Sequence, residues 1–210
     1  GGKMPIIPSQ TGSGGHIQSP GENRGFLIDV IDHTAGTVYD VILDFIFGFE
    51  NVPENWTRKM RVFAKFDRNM NNEIDPESKD LKRLYRILQQ MGFTRIEGGK
   101  LSGIGVNEKG KFVDENDRPI KDIAGLLKTL GRDKSYLVYI AKDSNGYDRV
   151  IGVIDEELNK SNDAFAVMMQ ENYAYWIERS LKAEASDTHT EKGGKSESSN
   201  DDLIYVPRGD

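Results

Sequence analysis

The stretch FDRNMNNEIDPES, residues 66–78, sets oxygen-bearing side chains at alternate positions: Asp67, Asn69, Asn71, Glu73 and Asp75. Ligands spaced in this way are what a calcium loop uses to wrap its ion. Such a loop also needs a helix on both sides, a glycine at its sixth position and a bidentate glutamate at its twelfth. Here those positions hold Asn72 and Ser78, Pro76 stands at the tenth, and the residues before Asp67 read as a strand. The stretch is therefore expected to be a polar connection between a strand and a helix, in which Asn and Asp satisfy turn geometry. A calcium-binding module at 67–78 ranks third among the functional readings.

Other catalytic chemistry finds little support. The chain has no cysteine, and its three histidines, His16, His33 and His189, fall in an arm, a turn and a tail. GGKSESS lacks the spacing of a phosphate loop, and GIGVNEKG misses the dinucleotide fingerprint. Asp40 and Asp44 would lie roughly 13 Å apart on a strand rising ~3.3 Å per residue, too far to share one magnesium ion, and they read as a solvent face. No catalytic residue, metal or cofactor is expected.

Binding chemistry is better represented. In TRKMRVFAKFD, residues 57–67, period two places Met60, Val62, Ala64 and Phe66 on one strand face and Lys59, Arg61, Phe63 and Lys65 on the other. Cations for a phosphate backbone beside an aromatic for base stacking are what single-stranded nucleic-acid grooves require, with stacking worth ~1–3 kcal/mol per base. Trp56 offers a second platform, and Arg58 and Arg68 extend the charge. Tyr147 and Arg149, at a later turn, are weaker candidates. The alternative is structural: lysines and arginines also protect edge strands from aggregation, and Phe63 could pack under a neighbouring element.

The elements that must position these residues form one domain, residues 25–182, between a Gly/Ser/Pro-rich arm (1–24) and a polar, acidic tail (183–210). FLIDVID and VYDVILDFIFGFE read as the first two strands, with Tyr39, Val41, Leu43, Phe45 and Phe47 inward, and 57–67 as the third. A helix is expected from about Pro76, capped by Asp75, with Leu81, Leu84, Tyr85, Leu88 and Met91 as its buried stripe and Gly92 as its end. A Gly-rich insertion with one hairpin covers 93–119. A short helix ending at Gly131, the strands SYLVYIAK and YDRVIGVID joined by DSNG, and a C-terminal helix over 163–182 complete the domain. Three strands, a helix and two strands is the element order of the OB-fold, a five-stranded barrel with its helix between strands 3 and 4.

Of the 210 residues 37% are hydrophobic and 30% charged, with a net charge of −6. From Ala183 onward seven acidic residues face three basic ones, which leaves a nearly neutral body that can carry a basic face. No apolar run approaches a membrane span, no basic-then-apolar leader is visible, and Gly1 to Lys3 read as a cloning remnant ahead of Met4. These features and the lack of cysteine suit a cytoplasmic protein.

VYDVILDFIFG, RKMRVFAKFD, DLKRLYRILQQMGF and DIAGLLKTLG followed by YLVYIAKDSNGYDRVIGVI together resemble phage-encoded single-stranded DNA-binding proteins of the OB-fold type, over roughly residues 26–155. The resemblance implies a non-enzymatic protein that coats single-stranded DNA with little sequence preference during replication, recombination or repair. It also implies a tail that recruits partner proteins: Asp201, Asp202, Leu203, Ile204 and Tyr205 match the acidic-then-apolar pattern of such tails. The chain departs from that pattern by ending in Arg-Gly-Asp. The runner-up is a phage structural or adaptor protein that uses the barrel for assembly. The aromatic-rich C-terminal helix could serve as an oligomer contact.

Overall fold

A computed structural model describes residues 15–161 and 163–187. The chain forms strands β1 (Gly21–Asp32), β2 (Val41–Phe49) and β3 (Arg58–Ala64), helix α1 (Lys79–Gln90), and the short strands β4 (Thr94–Glu97), β5 (Lys100–Gly103), β6 (Gly105–Val106) and β7 (Phe112–Val113). Helix α2 (Ile123–Gly131), strands β8 (Ser135–Lys142) and β9 (Asp148–Asp155), and helices α3 (Glu156–Lys160) and α4 (Ala164–Asp187) follow. No helix among the described residues is long and apolar enough to cross a membrane.

Five strands pair antiparallel in the order β3-β2-β1-β8-β9. Because each neighbour reverses direction, β3 and β9 end up parallel, and they lie side by side where the sheet curls on itself. The result is a nearly closed five-stranded OB-fold-like barrel with α1 between its third and fourth strands. Alternation fills the inside: Val41, Leu43, Phe45, Phe47 and Phe49 from β2 and Met60, Val62 and Ala64 from β3 are buried, as is Phe66 beyond β3. A bulge between Leu27 and Asp29 rephases β1, so that Val30 points inward while Ile28 stays outside. Leu81, Leu84, Ile87 and Leu88 of α1 and Ile123 and Leu127 of α2 join the same core.

Three local details differ from the sequence reading. Strand β1 takes in residues 21–24, which composition assigns to the arm; Gly21 pairs with Ile140. Helix α1 begins at Lys79 rather than near Pro76, because Asp75 caps a preceding turn, accepting from Glu77 N at 2.9 Å, and Ser78 Oγ accepts from Asp67 N. The insertion holds two hairpins, β4–β5 and β6–β7, and it belongs to the core through Phe93, Ile104 and Val113.

A second, smaller core lies outside the barrel. Ala166 and Met169 of α4 pack on Tyr139 and Ile154, with Phe165, Tyr173 and Ile177 alongside. Tyr173 fits because β9 carries Gly152 beneath it; a Cβ there would fall inside the Tyr173 ring. Helix α4 thus covers the outside of β8 and β9. The outside of β1, β2 and β3 remains as the barrel's open wall.

Candidate nucleic-acid interface

On that open wall Lys59, Arg61 and Phe63 project outward from β3, as alternation requires. Their cross-strand neighbours on β2 are Ile46, Asp44 and Ile42. Asp44 is the centre of the site. It is only 2% exposed, in place of the solvent-facing carboxylate the sequence suggests, because side chains from two other segments cover it. Arg61 grips it with Nε and Nη2 at 2.7 and 2.8 Å, Lys59 Nζ lies at 3.4 Å and His33 Nε2 at 3.2 Å. The Arg61 hydrogen bonds hold the Asp44 carboxyl below its ordinary range against the opposing effect of burial, and Asp44 in turn raises the Arg61 guanidinium. Two cations on one carboxylate leave one positive charge in surplus.

Phe63 is half-buried. Tyr39 meets it edge-on with ring centroids 5.6 Å apart, and the Arg83 guanidinium sits 5.2 Å from its centroid while also donating to Phe63 O. Clamped between these two, Phe63 supports Tyr39 rather than offering its own face. Tyr39, expected inside, is 39% exposed, because it precedes β2 and stands outside its alternation. Lys65 is exposed; its backbone N donates to Asp80 Oδ2, and its ammonium has no ion partner among the described residues.

Arg58, Arg68 and Arg149 do other work. Arg58 reaches from β3 across the seam to Asp148 at the start of β9, with Nη2 to Oδ2 at 2.8 Å. Lys142 Nζ lies 2.7 Å from the other carboxylate oxygen, which also accepts from Ser19. Burial would raise the Asp148 carboxyl, but Lys142, Ser19 and Arg58 hold it down at about 2. Arg68 pairs with Asp40 (Nη2 to Oδ1, 2.5 Å), whose other oxygen accepts from Phe66 N. Arg149 Nε donates to Asp143 Oδ2 at 2.9 Å. Asp40 therefore neutralises Arg68, whereas Asp44 offsets only one of its two cations. At the end of the barrel where Arg58 meets Asp148, Trp56 and Tyr147 stand out, 43% and 67% exposed.

The stretch that resembles a calcium loop is a hairpin. Arg68 and Ile74 bridge, and Asn69 Oδ1 accepts from Asn71 N and Glu73 N at 2.9 and 3.0 Å. The same turn recurs three times. Asn107 accepts from Lys109 and Lys111, Asp114 from Asn116 and Arg118, and Asp143 from Asn145 and Tyr147. Each turn has a left-handed residue at its fourth position: Asn72, Gly110, Asp117 and Gly146. NMNNE, NEKGK, DENDR and DSNGY thus share one pattern, which sequence reasoning could have found by aligning them. Among the described residues no group of three or more His, Cys, Asp or Glu could hold a metal ion.

No family model, curated protein or solved structure matches the chain. The site is accordingly defined by its own geometry. Sequence reasoning missed Tyr39 as a surface aromatic, and it missed Phe26, Ile28 and Ile31, which lie exposed along the outside of β1. Gly48 makes room for the first two; a Cβ there would come within 2.8 Å of the Phe26 ring and of Ile28 Cδ1. The tail residues Asp201, Asp202, Leu203, Ile204 and Tyr205 lie outside the described residues.

Proposed function

We propose that the chain binds single-stranded DNA along the outer wall formed by β2 and β3, with little sequence preference and without catalysis. The observation that carries this reading is the joint projection of Lys59, Arg61 and the Tyr39–Phe63 pair from one open barrel face, with cations outnumbering carboxylate. Phosphates would meet Lys59, Arg61 and Lys65, and bases would stack on Tyr39, Trp56 and Tyr147. Arg58 and Arg68 act on the barrel itself, through Asp148 and Asp40. The resemblance to phage single-strand binders supplies the setting, DNA replication, recombination or repair in a host cytoplasm, with partner proteins recruited by the acidic tail.

The test is anisotropy of a labelled oligo-dT titrated at several salt concentrations. Binding should weaken with salt by a log–log slope of ~0.7 per phosphate contact. Absence of binding at low salt would end the reading. A second reading, an assembly module that docks protein on the barrel, is favoured by exposed Phe26, Ile28 and Ile31. It predicts salt-insensitive self-association or partner capture that Ile28→Ser and Ile31→Ser abolish.

A further inference from the structure

A groove of about 560 Å³ runs between α4 and the β8–β9 hairpin. Its floor is apolar, built from Ile151, Met169, Tyr173 and Trp176. Its rim is charged: Lys142, Asp143 and Arg149 come from the hairpin, and Arg179 and Glu184 from α4. Asp148 occupies Lys142, and Asp143 occupies Arg149. The Arg179 guanidinium lies 5.1 Å from the Trp176 ring centroid and has no carboxylate partner among the described residues. An apolar trough ending in an uncompensated guanidinium suits a short peptide that carries a carboxylate followed by aliphatic and aromatic residues.

The chain holds one such segment in its tail: Asp201-Asp202-Leu203-Ile204-Tyr205-Val206. Helix α4 ends at Asp187 and borders the groove through Ser180, Ala183 and Glu184 on its last turns. Thirteen residues, 188–200, separate the helix end from Asp201. A polar Gly- and Ser-containing sequence of that length corresponds to a random-coil root-mean-square span of about 20 Å, enough to reach back along the helix it follows. We propose that this groove is the docking site of the chain's own Asp201–Val206 segment, with its carboxylates toward Arg179 and its apolar residues on the Trp176–Tyr173 floor. Tethering gives the segment an effective concentration near ~1 mM, so even an intrinsically weak contact is populated.

The test needs no DNA, so its failure is separate from failure of the DNA reading. A fluorescein-labelled peptide spanning residues 200–210 is titrated into the full chain and into a full chain carrying Leu203→Ser, Ile204→Ser and Tyr205→Ser. The substituted chain should bind the peptide about 10-fold more tightly than the unsubstituted one, whose own tail competes from ~1 mM against an affinity near 100 μM. Arg179→Glu in the substituted chain should abolish binding while circular dichroism stays unchanged. A Trp56→Phe background leaves Trp176 as the sole tryptophan, and its emission should respond to the peptide. Equal affinity for both chains, no binding to the substituted chain, or binding indifferent to Arg179→Glu would overturn the proposal. So would a tail-dependent dimer in sedimentation, which would assign the groove to a second copy's tail.

Discussion

Replacing Asp44 with Asn should make the protein less stable and a better DNA binder at once. The side chain keeps its size and one acceptor, but it loses the charge that Arg61 grips at 2.7 and 2.8 Å and that Lys59 approaches at 3.4 Å. A hydrogen bond to a charged group is worth ~1.5–3 kcal/mol, and half-exposed Arg61 reduces that through solvent screening, which leaves a cost of about 1–2 kcal/mol. For a domain of this size that is a fall of about 2–8 °C in melting temperature. On the proposed single-strand reading, the freed cation should add one phosphate contact. The log–log salt slope should steepen by ~0.7, and affinity for oligo-dT at 0.1 M salt should rise about 5-fold. Anisotropy titrations at four salt concentrations read both quantities, with Glu171→Gln on exposed α4 as the control for general charge. If folded Asp44→Asn binds no more tightly than that control, Lys59 and Arg61 do not meet phosphate and the proposed path across β3 is wrong.

Gly152→Ala should lift α4 off the barrel, since its Cβ would enter the Tyr173 ring; overpacking costs ~1–3 kcal/mol, and limited proteolysis should cut within 164–177 while β1 and β2 survive. Gly92→Ala should cost more than Gly99→Ala in urea unfolding. Both glycines have positive φ, a strain of ~1–2 kcal/mol, but a Cβ at Gly92 would also meet the buried Asp155–Lys134 pair, whereas Gly99 faces open space. Stability should fall as pH drops from about 4 toward 2. Asp148 and Asp44 have folded pKa values below the unfolded ones, so their contribution is present above the unfolded value and is lost on protonation. Thermal melts of Asp148→Asn across that range should be flatter than those of the parent chain. Calcium should leave the melting temperature unchanged, with or without Asp67→Ala, because Asn69 is engaged in its hairpin turn.

The barrel was legible because β2 and β3 alternate strictly. Met60, Val62, Ala64 and Phe66, assigned inward by period two, are all buried. The same alternation put Asp44 outside correctly but could not show it covered, since its cover comes from Arg61, seventeen positions away and found only through the β2–β3 register. Arg58 and Arg68 scanned as part of a basic strip for the same reason; Asp148 and Asp40 are remote in sequence. The insertion hid its two hairpins because strands of two to four residues are too short to show a period, and its signal lay in the repeated turns. Tyr39 was misplaced by extending the period of β2 two residues past its start.

No ladder of backbone hydrogen bonds joins β3 to β9; the seam is held at one end by Arg58, Asp148 and Lys142. The barrel is therefore a curled ribbon with a latch, and the latch is a carboxylate that releases near pH 2. When it lets go, the molecule need not melt to become hazardous. Two strand edges with unspent donors and acceptors would face each other across solution, and neighbouring molecules could zip along them. Acid storage should thus produce β-rich assemblies from a population whose core is still intact, and a second latch across the seam would be the direct remedy.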